Sequence, residues 1–469
     1  MSKLPDIKTN FPEWYQEVIY QAEMADQAPV RGCIIIRPYG NAVWDLIKNH
    51  LDEKIKETGH ENALFPLFIP ESFFKKEAEH VEGFAPELAI VTQAGGKELA
   101  EPLVVRPTSE TMIHFMFAKW IKSWRDLPLK INQWANVVRW EMRPRAFLRT
   151  TEFYWQEGHT AHATKEEAEE EVMLMLNIYK HMAEHILAIP VITGRKSEGE
   201  KFPGAERTHT FEAFMPDGKA LQMGTSHLLS QSFAHAFEMK FQDKTGTVAY
   251  PWLTSWGTTT RNVGAVVMTH GDSKGLVLPP NVAPHQVVII PIYKTEEDRV
   301  AVLEAAAMIK VSLPHVRVLI DKDDQKTPGN KFFHWELKGV PVRIEIGPRD
   351  LAQKQVVVGT RFDGAKTIMP MDSLEKEIPA LLKHIQITML ENARTRLNSM
   401  RVEVATLQEM LKIYETSVMQ TGYCGGSECE KILKQHTLSI RCLLEHKKAE
   451  SCFSCGKESI TDCIIARSY

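Results

Sequence analysis

The chain has 469 residues, of which 43% are apolar and 25% charged, and its net charge is −4. This length is too great for one hydrophobic core and indicates roughly two to four domains. The composition excludes a disordered, collagen-like or disulfide-scaffold protein. No stretch has the character of a signal peptide or a membrane span, so we expect a cytoplasmic protein with no membrane contact.

The first part of the chain, residues 1–283, carries most of the irregular motifs. Apolar spacing predicts two helices, and β-branched runs predict two strands: helices at 41–56 and 165–189, strands at 103–105 and 265–268. A proline-rich run at 278–284 then interrupts regular structure and indicates a linker. We therefore place the end of the first domain at residue 283.

Strands and helices alternate in the second part, residues 284–380. Continuous β-branched runs predict strands, and amphipathic patterns predict helices between them: strands at 287–290, 316–320, 342–346 and 355–358, helices at 296–313 and 331–338. Strands separated by helices indicate βαβ units and a small α/β domain.

The third part, residues 381–469, opens with a helical pattern over 381–421 and ends in a cysteine cluster. Six of the seven cysteines lie there: Cys424, Cys429, Cys442, Cys452, Cys455 and Cys463. In a protein without an export signal, such a cluster indicates a metal rather than disulfides. The pairs Cys424-x4-Cys429 and Cys452-x2-Cys455 predict a closed, structural Zn²⁺ site. The alternative is free thiols in a core.

Charged side chains concentrate at residues 136–153 of the first part. An alternating strand pattern would place Arg139 and Glu141 on one face, and a second strand after a loop would carry Arg149. Arginines on a rigid strand suit bidentate capture of phosphate or carboxylate. The alternative is a surface salt bridge between Arg139 and Glu141.

Four further motifs surround this stretch. In residues 106–110, Thr108 and Glu110 offer groups that can accept hydrogen bonds from an amine. Residues 155–159 (Trp-Gln-Glu-Gly-His) pack bulky and polar groups together, and residues 222–227 form a small-residue turn between polar side chains. Residues 256–261 place Arg261 near a helix start, a region suited to anions.

Together these motifs resemble the three signature motifs of class II aminoacyl-tRNA synthetases, in the form found in the prolyl-tRNA synthetase family. Phe65-Pro66 resembles the motif 1 proline of the dimer interface, residues 139–149 resemble motif 2, and Arg261 resembles the motif 3 arginine. The resemblance extends from about Phe11 to Tyr469. It is consistent with the absence of a Gly-x-Gly-x-x-Gly fingerprint between a strand and a helix.

The resemblance implies three domains and a homodimer. The first is an α+β catalytic domain, residues 1–283, in which helices flank an antiparallel sheet. An α/β anticodon-binding domain, residues 284–380, and a small zinc-binding α+β C-terminal domain, residues 381–469, would follow. The implied reaction joins proline to ATP as prolyl-adenylate, with Mg²⁺, and then transfers proline to the 3′ end of tRNA(Pro).

The resemblance also assigns roles to individual residues. Arg139 and Arg261 would be catalytic. The ATP-binding residues would be Arg139, Glu141, Arg149, Gln222, Thr225, Thr259 and Arg261. The proline-binding residues would be Thr108, Glu110, Arg139, Trp155, Glu157, His159 and His227. In the second domain Glu345 and Arg349 are the candidates for reading the guanines of the anticodon.

Several alternatives remain open at this stage. His159 and His227 can instead be core histidines bonded to the backbone, and Glu345 and Arg349 can belong to a solvated strand end. Two other functions compete: a synthetase-like RNA-binding protein that charges nothing, and a class II ligase for threonine or serine. The second is disfavoured because threonyl enzymes use a catalytic-site zinc and the first domain has only one cysteine, Cys33.

Two more expectations follow from the resemblance. Fewer than about a hundred residues separate His159 from Trp256, which leaves no room for the editing domain that bacterial-type prolyl enzymes insert there. We therefore expect the archaeal/eukaryotic-like form, without hydrolysis of mischarged tRNA in cis. In that form a terminal tyrosine folds back toward the active site, and Tyr469 is the corresponding residue.

Overall fold

The structure is a computed structural model that describes residues 3–78, 88–141 and 143–469. Its helices are α1 Phe11–Gln21, α2 Pro38–Glu57, α3 Glu71–Ala78, α4 Glu110–Trp120, α5 Lys165–His181, α6 Ser232–Ala236, α7 Arg261–His270, α8 Glu296–Ser312, α9 Pro328–Leu337, α10 Pro348–Ala352, α11 Leu374–Met400, α12 Leu407–Ile413 and α13 Ser427–Lys434. No helix within these described ranges has both the length and the apolar character needed to cross a bilayer.

The strands fall into five sheets. In chain order they are β1 Ala25–Gln27, β2 Ile34–Ile36, β3 Glu61–Asn62, β4 Phe68–Pro70, β5 Ala89–Ala94, β6 Lys97–Val105, β7 Leu129–Val138, β8 Glu152–His162, β9 Val191–Arg195, β10 Arg207–Phe214, β11 Ala220–Ser230, β12 Phe241–Gln242, β13 Val248–Ala249, β14 Trp252–Thr259, β15 Val287–Pro291, β16 Val318–Ile320, β17 Val342–Ile346, β18 Gln355–Thr360, β19 Lys366–Pro370, β20 Arg401–Glu403, β21 Val418–Tyr423, β22 Ser439–Leu443 and β23 Thr461–Ala466.

Six antiparallel strands form the first domain's part of the largest sheet, in the order β7–β8–β14–β11–β10–β9. Helices α5 and α7 pack on this sheet, and α2 packs on both of them. Their apolar faces meet in one core that includes Trp44, Tyr179, Phe211 and Trp256. The predicted helix-flanked antiparallel sheet is therefore confirmed.

Two local predictions in this domain are wrong. Residues 265–268 are expected to form a strand but lie in α7, a buried helix whose β-branched residues pack in the core shared with the sheet. Arg139 and Glu141 follow the end of β7, and Arg149 precedes β8, so none of the three lies on a strand. The last bond of this ladder, from Arg139 N to Thr151 O (2.8 Å), closes the loop that carries them.

The second part forms the predicted α/β domain. Its sheet has the order β16–β15–β17–β18–β19, with β15 parallel to both β16 and β17 and the last two strands antiparallel. The Thr295 side chain caps α8 by accepting from Asp298 N (3.1 Å), and three acidic residues in the first turn favour the helix dipole. The sequence missed β19, the exposed edge strand.

The third part differs from the predicted long helix over residues 381–421. Helix α11 begins earlier, at Leu374, and ends at Met400. Pro379 lies inside α11, in its second turn, where its ring removes one backbone hydrogen bond and crowds the carbonyl of the preceding turn. Beyond it lie β20, the short helix α12 with a capping box between Thr406 and Glu409, and β21.

The C-terminal strands extend the sheet of the first domain. The order β20–β21–β23–β22 continues into β9, through the antiparallel pair Leu443 and Arg195. Gly194 permits this close approach, since a Cβ there would lie 2.3 Å from Leu443 O. The first and third parts of the chain are thus joined by one sheet of eleven strands.

Candidate active site

One cavity of about 550 Å³ collects the polar motifs of the first domain. Its walls come from the β7–β8 loop, the start of α4, strands β8, β11 and β14, and the start of α7. All of the residues predicted to bind ATP or proline line it: Thr108, Glu110, Arg139, Glu141, Arg149, Trp155, Glu157, His159, Gln222, Thr225, His227, Thr259 and Arg261.

Arg139 is held in the cavity by its surroundings. Its Nε donates to Pro107 O (3.1 Å), and its guanidinium lies over the rings of Trp155 (5.3 Å) and Phe153 (5.6 Å). Although the side chain is open to the cavity, desolvation lowers its pKa, and Glu157 and Glu110 oppose this effect. Two aromatic faces and a carbonyl fix a planar cation that still has free donors for an anion.

Arg261 is fixed by two backbone carbonyls at the first turn of α7. Its Nε donates to Leu148 O (3.1 Å) and its NH1 to Gln222 O (2.9 Å). Burial, together with the nearby Arg149, lowers the pKa of Arg261 to about 10, so it is still a cation at neutral pH. An anchored cation at a helix N-terminus, close to a second arginine, is an anion site.

Arg149 and Glu141 form a looser part of the site. Arg149 Nε lies 3.6 Å from Glu141 Oε2, and the Arg149 side chain is half exposed. The alternative salt bridge between Arg139 and Glu141 does not occur, because Glu141 faces Arg149 instead. The C-terminal residue also reaches this position: Arg149 NH2 donates to Tyr469 O at 3.3 Å.

Tyr469 is tied down at the cavity rim on several sides. Its hydroxyl donates to Asp217 Oδ2 (2.7 Å), its N donates to Ala220 O (3.1 Å), and its ring lies beneath Lys219 and Arg145. The chain end therefore lies beside the cavity, as the sequence suggested.

Glu157 is the centre of the buried acidic end of the cavity. Its carboxylate accepts from Thr108 Oγ1 (3.1 Å), Ser109 N (3.1 Å) and Gln133 Nε2 (2.9 Å), and lies 3.3 Å from His159 Nε2. Burial alone would raise its pKa, but the bonds from His159 and Ser109 outweigh burial and lower it. Glu157 is thus an ionised carboxylate whose hydrogen bonds hold Thr108 and His159 in position.

Gly158 is required by the packing under this acidic end. It lies opposite Trp256 in the β8–β14 ladder, and a Cβ would meet the indole at 2.1 Å. The glycine of the Trp-Gln-Glu-Gly-His motif therefore lets the Trp256 ring lie flat on the sheet. The neighbours Glu157 and His159, on the other face, line the cavity.

His227 is bonded to side chains rather than to the backbone. Its Nδ1 lies 2.9 Å from Thr208 Oγ1 and its Nε2 lies 2.9 Å from Thr225 Oγ1. Burial lowers its pKa to about 3, so the ring is neutral at physiological pH. The alternative of a core histidine bonded to the backbone fits neither His227 nor His159.

The sequence missed a buried ion network behind the arginines. Glu212 is fully buried and accepts from Lys196 Nζ (2.8 Å), Arg441 NH2 (2.9 Å) and Thr210 Oγ1 (2.7 Å). Burial favours the neutral acid, but the two cations outweigh it and lower the pKa of Glu212 to about 2. The polar alternation Thr208, Thr210, Glu212 in a buried strand was the signal available.

The four paired cysteines meet in the C-terminal domain. One Sγ from each of Cys424, Cys429, Cys452 and Cys455 lies within 4.8 Å of the others, and Cys424 Sγ is 3.8 Å from Cys429 Sγ and 3.6 Å from Cys455 Sγ. A tetrahedral ZnS₄ centre has S–S separations of about 3.8 Å. These four cysteines can hold a metal ion. Cys442 and Cys463 lie on β22 and β23, outside this group.

The two anticodon candidates have different surroundings. Glu345 lies within β17, is only 9% exposed, and pairs with Arg343 (2.9 Å) and Lys366 (2.9 Å). The solvated strand end therefore does not describe Glu345. Arg349 lies in the first turn of α10 and is exposed to solvent.

Two family descriptions match the chain. Residues 92–270 match the tRNA synthetase class II core domain (G, H, P, S and T), and residues 286–381 match an anticodon binding domain. The first match covers the cavity, and the second covers the β15–β19 sheet.

Whole-chain relatives agree with these matches. The proline–tRNA ligase of Roseiflexus sp. (strain RS-1) is 50% identical, with 98% of each chain covered, and that of Chloroherpeton thalassium is 52% identical over 94% of this chain and 92% of the other. The prolyl-tRNA synthetase of Cryptosporidium parvum, solved with halofuginone and AMPPNP, matches with a TM-score of 0.95 at 43% identity, covering 100% of this chain and 99% of that one. With L-proline and AMP bound, the TM-score is 0.93 at 42% identity over the same shares. From its site, its fold and this similarity, the chain belongs to the prolyl-tRNA synthetase (proline–tRNA ligase) family.

Proposed function

We propose that this protein activates L-proline with ATP, releasing pyrophosphate, and transfers proline from prolyl-adenylate to the 3′ end of tRNA(Pro). The observation that carries the proposal is the division of one cavity into a cationic end and an acidic end. Arg149 and Arg261 form the first, Glu110 and Glu157 form the second, and Arg139 stands between them.

The cationic end suits a triphosphate. In the first step the proline carboxylate attacks the α-phosphorus of ATP, and pyrophosphate leaves as charge builds on the phosphate oxygens. Arg139, fixed by Pro107 O and two aromatic rings, bridges the carboxylate and the α-phosphate. Arg261 and Arg149 hold the outer phosphates. Fixed donors of this kind accelerate reaction by stabilising the transition state without reorganisation.

The other ATP-side residues provide positioning. Glu141 contacts the adenosine, and Gln222, Thr225 and Thr259 provide neutral hydrogen bonds; Thr259 Oγ1 already accepts from Arg261 N (3.0 Å) at the start of α7. Mg²⁺ would enter with ATP and neutralise charge on the outer phosphates.

The acidic end suits the imino group of proline. Thr108 and Glu110, at the start of α4, accept its hydrogen bonds. Trp155, His159 and His227 shape the pocket around the ring, and Glu157 fixes Thr108 and His159. The neutral state of His227 suits an apolar ring better than an imidazolium would.

The other parts of the molecule support the rest of the proposal. Residues 160–255 are taken up by α5, β9–β13 and α6, which build the sheet and its covering, and this supports the absence of cis editing.

Leu64 (88% exposed), Phe68 and Trp120 leave an apolar surface around Phe65-Pro66, which supports a homodimer. The sulfur geometry supports a structural Zn²⁺. Arg349 and Glu345 would contact the anticodon. The cytoplasm remains the predicted compartment.

The test is amino-acid-dependent ATP–pyrophosphate exchange with each of the twenty amino acids, followed by charging of a tRNA(Pro) transcript. Exchange dominated by proline, lost in Arg139→Ala, is the expected result. Exchange with threonine or serine would overturn the pocket assignment. No exchange in folded protein would favour the RNA-binding alternative. Release of alanine from alanyl-tRNA(Pro) by the purified chain would refute the absence of editing.

A further inference from the structure

A second group of metal-ligand side chains lies under the acidic end of the cavity. Glu110 and His114 are one helical turn apart on α4, so their side chains share a face. His159 approaches them from β8. One ligand atom from each of these three residues lies within 4.8 Å of the other two, and all three are buried. The single cysteine of this domain argues against a threonyl-type zinc, and no metal is predicted here from the sequence.

The two imidazoles have nitrogens that no hydrogen bond satisfies among the described residues. His114 is 0% exposed, and neither of its ring nitrogens has a partner. Its ring lies edge-on to His159, with centroids 5.7 Å apart. His159 Nδ1 is likewise without a partner. Unpaired buried polar groups destabilise a fold, so three such nitrogens in one place call for a ligand.

The surroundings of His159 match a metal ligand. Its Nε2 lies 3.3 Å from the Glu157 carboxylate, and its Nδ1 is buried with no hydrogen-bond partner among the described residues. A carboxylate on the distal nitrogen is the usual support of a zinc-bound histidine. Two imidazoles and one carboxylate are a borderline donor set, suited to Zn²⁺ with a fourth position left open.

We propose that Glu110, His114 and His159 form a binding site for a divalent transition metal, with Zn²⁺ as the best fit, and that the bound ion prevents proline from binding. The negative charges of Glu110 and Glu157 balance the positive charge of the bound ion. Inhibition follows because Glu110 and His159 also line the cavity. An ion on Glu110 withdraws the carboxylate from the imino group and brings a positive charge against it. This effect rests on the proposed function, whereas the metal site does not.

Metal content tests the site. The full chain is incubated with excess Zn²⁺, freed of loose metal by gel filtration, and its zinc measured by mass spectrometry. We expect about two zinc ions per chain, one at the four cysteines and one here, and about one in His114→Phe. His50→Phe is the matched control, since His50 Nε2 is also buried without a partner but lies outside the group, and it should keep both ions. Equal zinc in wild type and His114→Phe would overturn the site.

A second substitution and a second metal guard against misfolding. His114→Gln keeps a polar side chain and should lose the same ion. Co²⁺ added to protein whose cysteines already hold zinc should give visible ligand-field bands without thiolate charge transfer, and these bands should be missing from both variants. Bands that persist in both variants would place the metal elsewhere and overturn the proposal.

Kinetics test the consequence for proline. In pyrophosphate exchange, added Zn²⁺ should raise the KM for proline in the wild type in proportion to its concentration and leave KM unchanged in His114→Phe. A zinc effect that is equal in both proteins would overturn the inhibitory role, even if the metal content confirms the site. Absence of proline-dependent exchange in wild type without added Zn²⁺, its cysteine site still loaded, would instead count against the proposed function, and the zinc content would still decide the metal site.

Discussion

Glu212→Gln is expected to loosen the junction between the catalytic sheet and the C-terminal strands. The buried carboxylate is bonded by Lys196 of the first part and Arg441 of the third. The pKa of Glu212 falls from 4.5 to about 2, a difference worth ~3 kcal/mol at neutral pH. The amide leaves two buried cations without their anion, a change that typically costs about 3–5 kcal/mol.

Hydrogen exchange of the backbone amides measures this loss where it occurs. At pH 7 the amides of β9, β10 and β22 should exchange about 100-fold faster in Glu212→Gln than in the wild type. Because the folded-state pKa is depressed, the wild-type advantage is complete above about pH 4.5 and declines as the pH falls toward 2. Glu403→Gln is the control, since its pair with Lys448 is exposed and worth at most about 1 kcal/mol. Exchange within twofold of wild type at pH 7 would refute the reasoning.

Three further predictions concern the site, the cysteines and the chain end. In Arg261→Lys the new side chain cannot bond both Leu148 O and Gln222 O, so kcat for adenylate formation should fall about 100-fold while the KM for proline changes little. An unchanged kcat would contradict the catalytic role of Arg261. Arg396→Lys, outside the cavity, is the control. Cys429→Ser should lose about one zinc ion per chain and Cys442→Ser none, as measured by metal analysis; equal zinc in the two would exclude the four-cysteine site. Deletion of Tyr469 removes its bond to Arg149 and should raise the KM for ATP about tenfold; retained kinetics would show that the chain end has no role there.

Local motifs made much of the cavity predictable from sequence. Residues 155–159 and 256–261 each place several cavity residues within one strand or turn, so strand geometry determines their position. The Glu212–Arg441 pair joins residues 229 apart in sequence, and no periodicity indicates such a contact. His114 lay hidden for a related reason. Its spacing from Glu110 is an ordinary helical spacing, and only the tertiary fold brings His159 of β8 beside it.

The incorrect long helix has a different cause. The apolar spacing of α11 is followed by that of α12, and the sequence between them lacks glycine and proline. The break comes from β20 pairing with β21, which is a tertiary contact. The loop positions of Arg139 and Arg149 were missed in the same way, because alternation of charge does not reveal where a ladder ends.

The joined sheet has a consequence for the order in which the chain folds during synthesis. Strand β9 takes its outer neighbour, β22, from a segment made about 250 residues later. Until the ribosome has delivered that segment, the emerging catalytic domain presents β9 as an open edge, with Glu212 lacking Arg441. Unpaired edges invite pairing with other chains. Completion of the C-terminal domain is therefore the event that closes the edge of the nascent catalytic domain.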